Sequence, residues 1–133
     1  MGLFQRHVRL RREVALVDCN GKKNIPAFQR VLNAFSIPYR IVHDGDTNNP
    51  AAFADNAPIA AAIPAGGAHL IHQVLPDDLE GLLGYSAAKG SSKPYVAVCT
   101  VENLHAQGQL PAAFQEAVCM TYFGQLAEPQ PAP

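Results

Sequence analysis

The sharpest chemical feature of this 133-residue chain is Asp44-Gly45-Asp46, which directly follows the apolar run PYRIV and His43. Two carboxylates one residue apart can point the same way. Like charges held close raise each other's pKa unless a cation neutralises them. Mg²⁺ suits such a pair, because it takes oxygen ligands and is usually held by one or two carboxylates plus water and phosphate. A tight Asp-Gly hairpin is the competing reading, but it needs a strand immediately afterwards, and TNNP is not one. Asp18 ends an earlier apolar run and is either a further ligand or a plain loop residue. Asp77, Asp78 and Glu80 follow a third apolar run. Asp77 and Glu80 have the spacing of a helix-capping pair, which competes with a metal role; both coexist if Asp77 caps and Glu80 turns toward a metal. Lys93, in SSKP, is placed to stabilise charge on a phosphate or simply to be solvated. His69 and His72 face opposite sides if they lie on a strand. The five histidines and three cysteines form no zinc pattern.

These side chains need elements to position them. Residues 13–19 (EVALVDC) read as a first strand broken by Gly21. Ile25, Phe28, Val31, Leu32 and Phe35 then recur at helical spacing, with Asn24 as N-cap and Pro26 in the first turn. The apolar positions on the helices are expected in the core. Residues 38–43 read as a second strand, so the first strand, helix and second strand form a βαβ unit with parallel strands. The spacing predicts a helix over 51–63 interrupted near Pro58, a third strand over 69–75 and a short helix over 77–85. Two further helices are expected over 94–107 and 111–123. Ligands of such sheets bind just outside the carboxyl ends of the strands. That edge is where Asp18, Asp44, Asp46 and the acids after residue 75 would meet.

Length and composition bound the rest. One domain is expected over residues 13–124, preceded by a basic arm (1–12) and followed by a disordered Pro-rich tail (125–133). The 48% hydrophobic content argues against disorder. No apolar run is long enough for a membrane span, and the start shows no signal-peptide pattern, so a soluble cytoplasmic protein is expected. The odd cysteine count argues against a disulfide scaffold. The net charge of −1 hides an asymmetry, because eight of the ten Lys and Arg residues lie in residues 1–40 and nine of the eleven acids lie beyond. A basic end can meet phosphates while an acidic part holds a metal.

The segment NGKKNIPAFQRVLNAFSIPYRIVHDGDT, followed by LPDDLEGLLGY and KPYVAV, resembles the Toprim domain of the overcoming-lysogenization-defect family of ATP-dependent endonucleases. The resemblance runs from about Glu13 to Phe123. It implies an α/β Toprim fold, Rossmann-like, with a largely parallel sheet of about four strands flanked by helices. It also implies Mg²⁺-dependent (or Mn²⁺-dependent) phosphodiester cleavage of DNA. Asp44 and Asp46 match the family's DxD metal ligands, Glu80 its later acid, and Lys93 the lysine that steadies the scissile phosphate. Asp44 and Lys93 are thereby the expected catalytic pair.

Two departures accompany the resemblance. Aligned on Gly21, the two acids of the family's first motif fall on Asn20 and Asn24, which bring no charge and cannot act as general bases. Asp18 is the nearest substitute. No GxxxxGK[ST] motif is present, so an ATPase domain or subunit outside this chain is the expected partner, with DNA, and a homo-oligomer is left open. Two functions therefore compete: a metal-dependent nuclease, and a degenerate, non-catalytic Toprim domain that binds DNA or protein. A phosphatase of the haloacid dehalogenase type also fits DGDT, but its signature ends the first strand, and its lysine does not follow the later acids.

Overall fold

The computed structural model describes residues 15–65, 71–86 and 93–123. The basic arm, the Pro-rich tail, Glu13, Val14, His69, Leu70 and the loop at residues 90–92 lie outside them. A 3-10 turn, Lys22–Asn24, leads into α1 (Ile25–Ala34). Strand β1 (Arg40–Asp44) follows, then two short helices, α2 (Pro50–Phe53) and α3 (Asn56–Ala61). Strand β2 is Ile71–Leu75, followed by α4 (Leu79–Leu83), α5 (Lys93–Ala106) and α6 (Ala112–Phe123). No helix among the described residues is long and apolar enough to cross a membrane.

β1 and β2 pair in parallel, from Arg40 opposite Ile71 to Asp44 opposite Leu75. The parallel α/β arrangement agrees with the sequence reading. Among the described residues the sheet has two strands. Residues 15–19, expected as the first strand, carry neither helix nor strand, and Leu16 and Val17 are 80% and 57% exposed. An apolar run signals a need for burial but does not supply a ladder partner, and this run has none among the described residues.

Burial in β1 alternates, with Ile41 and His43 buried and Arg40 and Val42 exposed, so one face of the strand is packed and the other is more open. Ile41 clusters with Ile25 of α1 and Ile59 of α3, with Cys19 and Tyr39 packed against them. On the other side α6 lies against both strands, and Arg40 Nη1 donates to Thr121 O at 2.9 Å. The result is a thin helix–sheet–helix sandwich. α1 buries Ile25 and Gln29, one turn apart, and Gln29 Nε2 donates to Ile59 O at 3.0 Å. Phe28, Val31 and Phe35 were expected in the core and are exposed instead. The buried stripe of α1 is the one containing Gln29, which binds α3, and the phenylalanines lie off that stripe.

Asn24 does not cap α1 through its side chain. Its Nδ2 donates backward to Cys19 O and Asn20 O and so closes the preceding loop. At the other end α1 finishes in a Schellman-type bond from Ile37 N to Leu32 O, with Ser36 in the left-handed region at φ 54°. That conformation costs a non-glycine residue roughly 1–2 kcal/mol. Glycine returns roughly 0.5–1 kcal/mol of this through its greater freedom when unfolded. Ser36→Gly is therefore expected to stabilise the protein by about 0.5–1 kcal/mol in urea unfolding. No gain would mean that the turn is not held in this form.

Candidate functional site

The site forms where β1 and β2 end. Gly45 makes that meeting possible. A Cβ built on it would lie 2.5 Å from Leu75 O and 3.3 Å from Pro76 O, so the two strand exits touch through backbone. Asp46 follows at φ 53°, and its N–H donates to Asp77 O at 2.9 Å. The Asp77 carboxylate accepts from Thr47 Oγ1 (3.0 Å), Asn48 N (3.2 Å) and Asn48 Nδ2 (2.8 Å). Those bonds, led by the Asn48 side chain, hold Asp77 below the usual carboxylate range. The helix cap expected from Asp77 is made instead by Asp78, whose carboxylate accepts from Gly81 N at 2.6 Å. The helix starts one residue later than the spacing implies, and Asp77 is committed to the neighbouring loop.

Lys22 is the residue that the sequence reading passed over. Its ammonium donates to Asp46 Oδ2 (2.5 Å), Asp44 O (3.1 Å) and Asn56 Oδ1 (2.8 Å). Asn56 Nδ2 in turn donates to Gly45 O at 2.8 Å. The strand-end turn is thus gripped by Lys22 and Asn56, which are themselves hydrogen-bonded. The signal was present: Lys22 follows Gly21 at the end of an apolar run, the edge where ligands gather.

The other expected residues take these places. Asp44 is half-buried and accepts from Leu79 N at 3.1 Å. Glu80 pairs with Lys93, which pulls the Glu80 carboxyl below its ordinary value and lifts the Lys93 ammonium. Asp18 lies on the exposed segment before Gly21 and accepts from Asn20 N at 2.8 Å. Asp18, Asp44, Asp46, Glu80, Lys22 and Lys93 all line one cavity of about 580 Å³. Asn20 and Asn24, the positions matched to the first motif, are not among its lining residues.

Nearby, His43 and His72 join the two strands, with Nε2···Nε2 2.7 Å apart. His43 Nδ1 lies 2.8 Å from Asp44 O, a carbonyl that can only accept. Nδ1 therefore carries the proton, and in the neutral pair His72 donates to His43. Burial pushes both imidazoles down, which keeps the pair neutral.

Asp44 is driven the other way from Glu80. Burial, then the Asp46 and Glu80 charges, push its carboxyl up. The folded protein holds that proton more tightly than the unfolded chain. Asp44 therefore favours folding below the ordinary aspartate pKa, and this contribution is lost as pH rises through its raised value. Asp44→Asn, which keeps an oxygen for Leu79 N, is expected to raise the melting temperature by a few degrees at pH 7. The advantage should shrink toward zero as pH falls below the aspartate range. A lower melting temperature at pH 7 would refute the account of Asp44 as a carboxyl raised by burial and neighbouring charge.

The oxygen-rich donor set has the chemistry for Mg²⁺, but two of its carboxylates, Asp46 and Glu80, are paired with lysines in this arrangement. Among the described residues no three His, Cys, Asp or Glu side chains gather into a group able to hold a metal ion. A lysine ammonium sits on Asp46 and another on Glu80.

Fold and site together define a small parallel α/β domain with a mixed carboxylate and lysine rim at its strand ends. Residues 3–46 match the family model described as the overcoming lysogenization defect protein-like TOPRIM domain. That is the family the sequence resembles, and the matched stretch ends on Asp46. Comparison with curated proteins and with solved structures gives no match.

Proposed function

We propose that this chain is a Toprim-type module that engages DNA without cutting it in the arrangement described. The observation that carries this reading is the Lys22 ammonium held between Asp46, the Asp44 carbonyl and Asn56. A fixed cation beside the DxD pair does part of what a metal does, because it offsets like charge. It cannot generate a nucleophile from water. With Lys22 and Lys93 offsetting the rim, phosphate is repelled less, and the basic residues of the first 40 positions supply attraction.

The test uses plasmid nicking and fluorescence anisotropy with a duplex oligonucleotide. Binding that weakens steeply with salt, with no nicking in Mg²⁺ or Mn²⁺, is expected. Nicking by the unmodified protein that disappears in Asp44→Ala would overturn it.

The second reading is a Mg²⁺-dependent endonuclease module working with an ATPase domain or subunit. Asp44, Asp46, Glu80 and Asp18 would serve as ligands, and Lys93 would steady the phosphate. The elevated Asp44 carboxyl favours it, because beside burial, the larger cause, Asp46 and Glu80 crowd negative charge there. The nicking assay separates the two.

A further inference from the structure

Asn20-Gly21 is the one Asn-Gly pair in the chain. In such a pair the glycine nitrogen can attack the side-chain carbonyl carbon of the asparagine, because glycine carries no side chain to hinder the approach. The pair lies in the bend between the 15–19 segment and the 3-10 turn that begins at Lys22. Both residues are exposed. Among the described residues, neither the Asn20 side chain nor Gly21 N makes a hydrogen bond. A Cβ built on Gly21 would meet nothing within 4 Å, so there is room for a ring to close. Asn20 also sits at φ 52°, an unfavourable conformation for a non-glycine residue, which makes departure from it cheap.

Other asparagines are held. Asn24 Nδ2 donates to Cys19 O and Asn20 O, and β-branched Ile25 follows it. Asn33 Nδ2 donates to Ala62 O from within α1. Asn56 Nδ2 donates to Gly45 O, and its Oδ1 accepts from Lys22.

We propose that Asn20 is a site of spontaneous deamidation, and that its isoaspartyl product loosens the hold of Lys22 on the acidic rim. In the first step a bond forms between Gly21 N and Asn20 Cγ. The bond from Cγ to the side-chain nitrogen breaks, and ammonia leaves with the proton that Gly21 N gave up. Water then opens the cyclic imide at either carbonyl. Opening at Cγ gives aspartate. Opening at the main-chain carbonyl gives isoaspartate, whose backbone runs through Cβ and Cγ and is one carbon longer.

The surrounding loop has no slack for that carbon. Asn20 N donates to Asp18 Oδ1 at 2.8 Å, and Asn20 O accepts from Asn24 Nδ2 at 2.9 Å. Gly21 O accepts from Asn24 N at 3.1 Å. These bonds set where Lys22 begins its reach to Asp46, Asp44 O and Asn56. In isoaspartate the Asn20 carbonyl becomes a free carboxylate outside the main chain, so that frame is broken just before Lys22. The assignment depends on the Lys22 clamp and holds whether or not the rim engages DNA.

The experiment ages the full chain near pH 7 and near pH 9 and follows each asparagine by peptide mass spectrometry, with fragmentation that separates isoaspartate from aspartate. Asn20 is expected to lose its amide at least about tenfold faster than Asn24, Asn33 or Asn56. The loss should be faster at the higher pH, because the deprotonated Gly21 nitrogen is the nucleophile. Aged protein should melt a few degrees lower than fresh protein and bind Mn²⁺ more tightly in calorimetry. Asn20→Gln, whose longer side chain closes a ring far more slowly, should age without either change. Asn20→Asp carries the new charge on an unchanged backbone and should melt close to fresh protein. Conversion of Asn20 no faster than of the other three would overturn the proposal. So would isoaspartate at position 20 with unchanged melting temperature and Mn²⁺ affinity, or an equal loss of stability in aged Asn20→Gln. A fall in Asn20→Asp equal to that of the aged protein would overturn the role given to the lengthened backbone.

Discussion

Lys22→Met is expected to destabilise the protein by about 2–3 kcal/mol and, at the same time, to raise its affinity for Mn²⁺. The two effects have one origin. The Lys22 and Asp46 side chains are only 11% and 22% exposed, so water replaces the lost ammonium poorly. Asp46 Oδ2, Asp44 O and Asn56 Oδ1 all lose their donor together. Removing one partner of a fully buried ion pair costs roughly 3–5 kcal/mol, and the partial exposure here lowers that figure. The freed Asp46 carboxylate, whose charge already acts on Asp44, then lacks its neighbouring ammonium, which is the setting in which a divalent cation binds. A rise in Mn²⁺ affinity of about tenfold or more, read by calorimetry, is the expected outcome. Methionine nearly matches lysine in length, so packing is largely kept. A variant that loses stability and gains no Mn²⁺ affinity would show that Lys22 is only a structural clamp. The proposal of a metal-independent rim would then lose its main support.

Gly45→Ala should be at least as damaging, at about 3 kcal/mol, for a different reason. Gly45 does not have a positive φ, so its backbone angle is open to any residue. The obstacle is distance. The added methyl would sit 2.5 Å from Leu75 O and 3.3 Å from Pro76 O, and it would also meet Val74 Cγ1 at 3.4 Å. Two of those three neighbours are backbone atoms, which cannot swing aside. Either the ends of β1 and β2 separate, or Asp44 and Asp46 rotate. Both outcomes disturb the Lys22 clamp, so Gly45→Ala and Lys22→Met should be less than additive in urea unfolding. Full additivity would show that the strand contact and the clamp act independently.

The part of the fold that was legible rests on local patterns. β1 was visible because a short apolar run ends in a polar turn, and its parallel partner because a second such run follows an Ala-rich helical stretch. The meeting of Glu80 with Asp44 and Asp46 at one rim followed from both strands ending at the same edge, whereas Lys93 was placed there only by the family resemblance. What stayed hidden depends on contacts remote in sequence. Lys22 finds Asp46 across 24 positions, and no periodicity marks that pairing. The exposure of Phe28, Val31 and Phe35 depends on Gln29 being the residue that α3 receives. The spacing of Asp77 and Glu80 suggested a cap that Asp78 makes, because Asp77 is drawn to Thr47 and Asn48 by a contact between loops. The predicted first strand fails for the same reason: strand identity is conferred by a neighbour, and no neighbour of 15–19 among the described residues provides one.

The bonds from Asp77 to Thr47 and Asn48, with the one from Asp46 N to Asp77 O, have a mechanical consequence. The loop leaving β1 and the loop leaving β2 are stitched at four points into a single plate, so neither travels without the other. A displacement of the loop that leads into helix α4 therefore pulls directly on the backbone of Asp46.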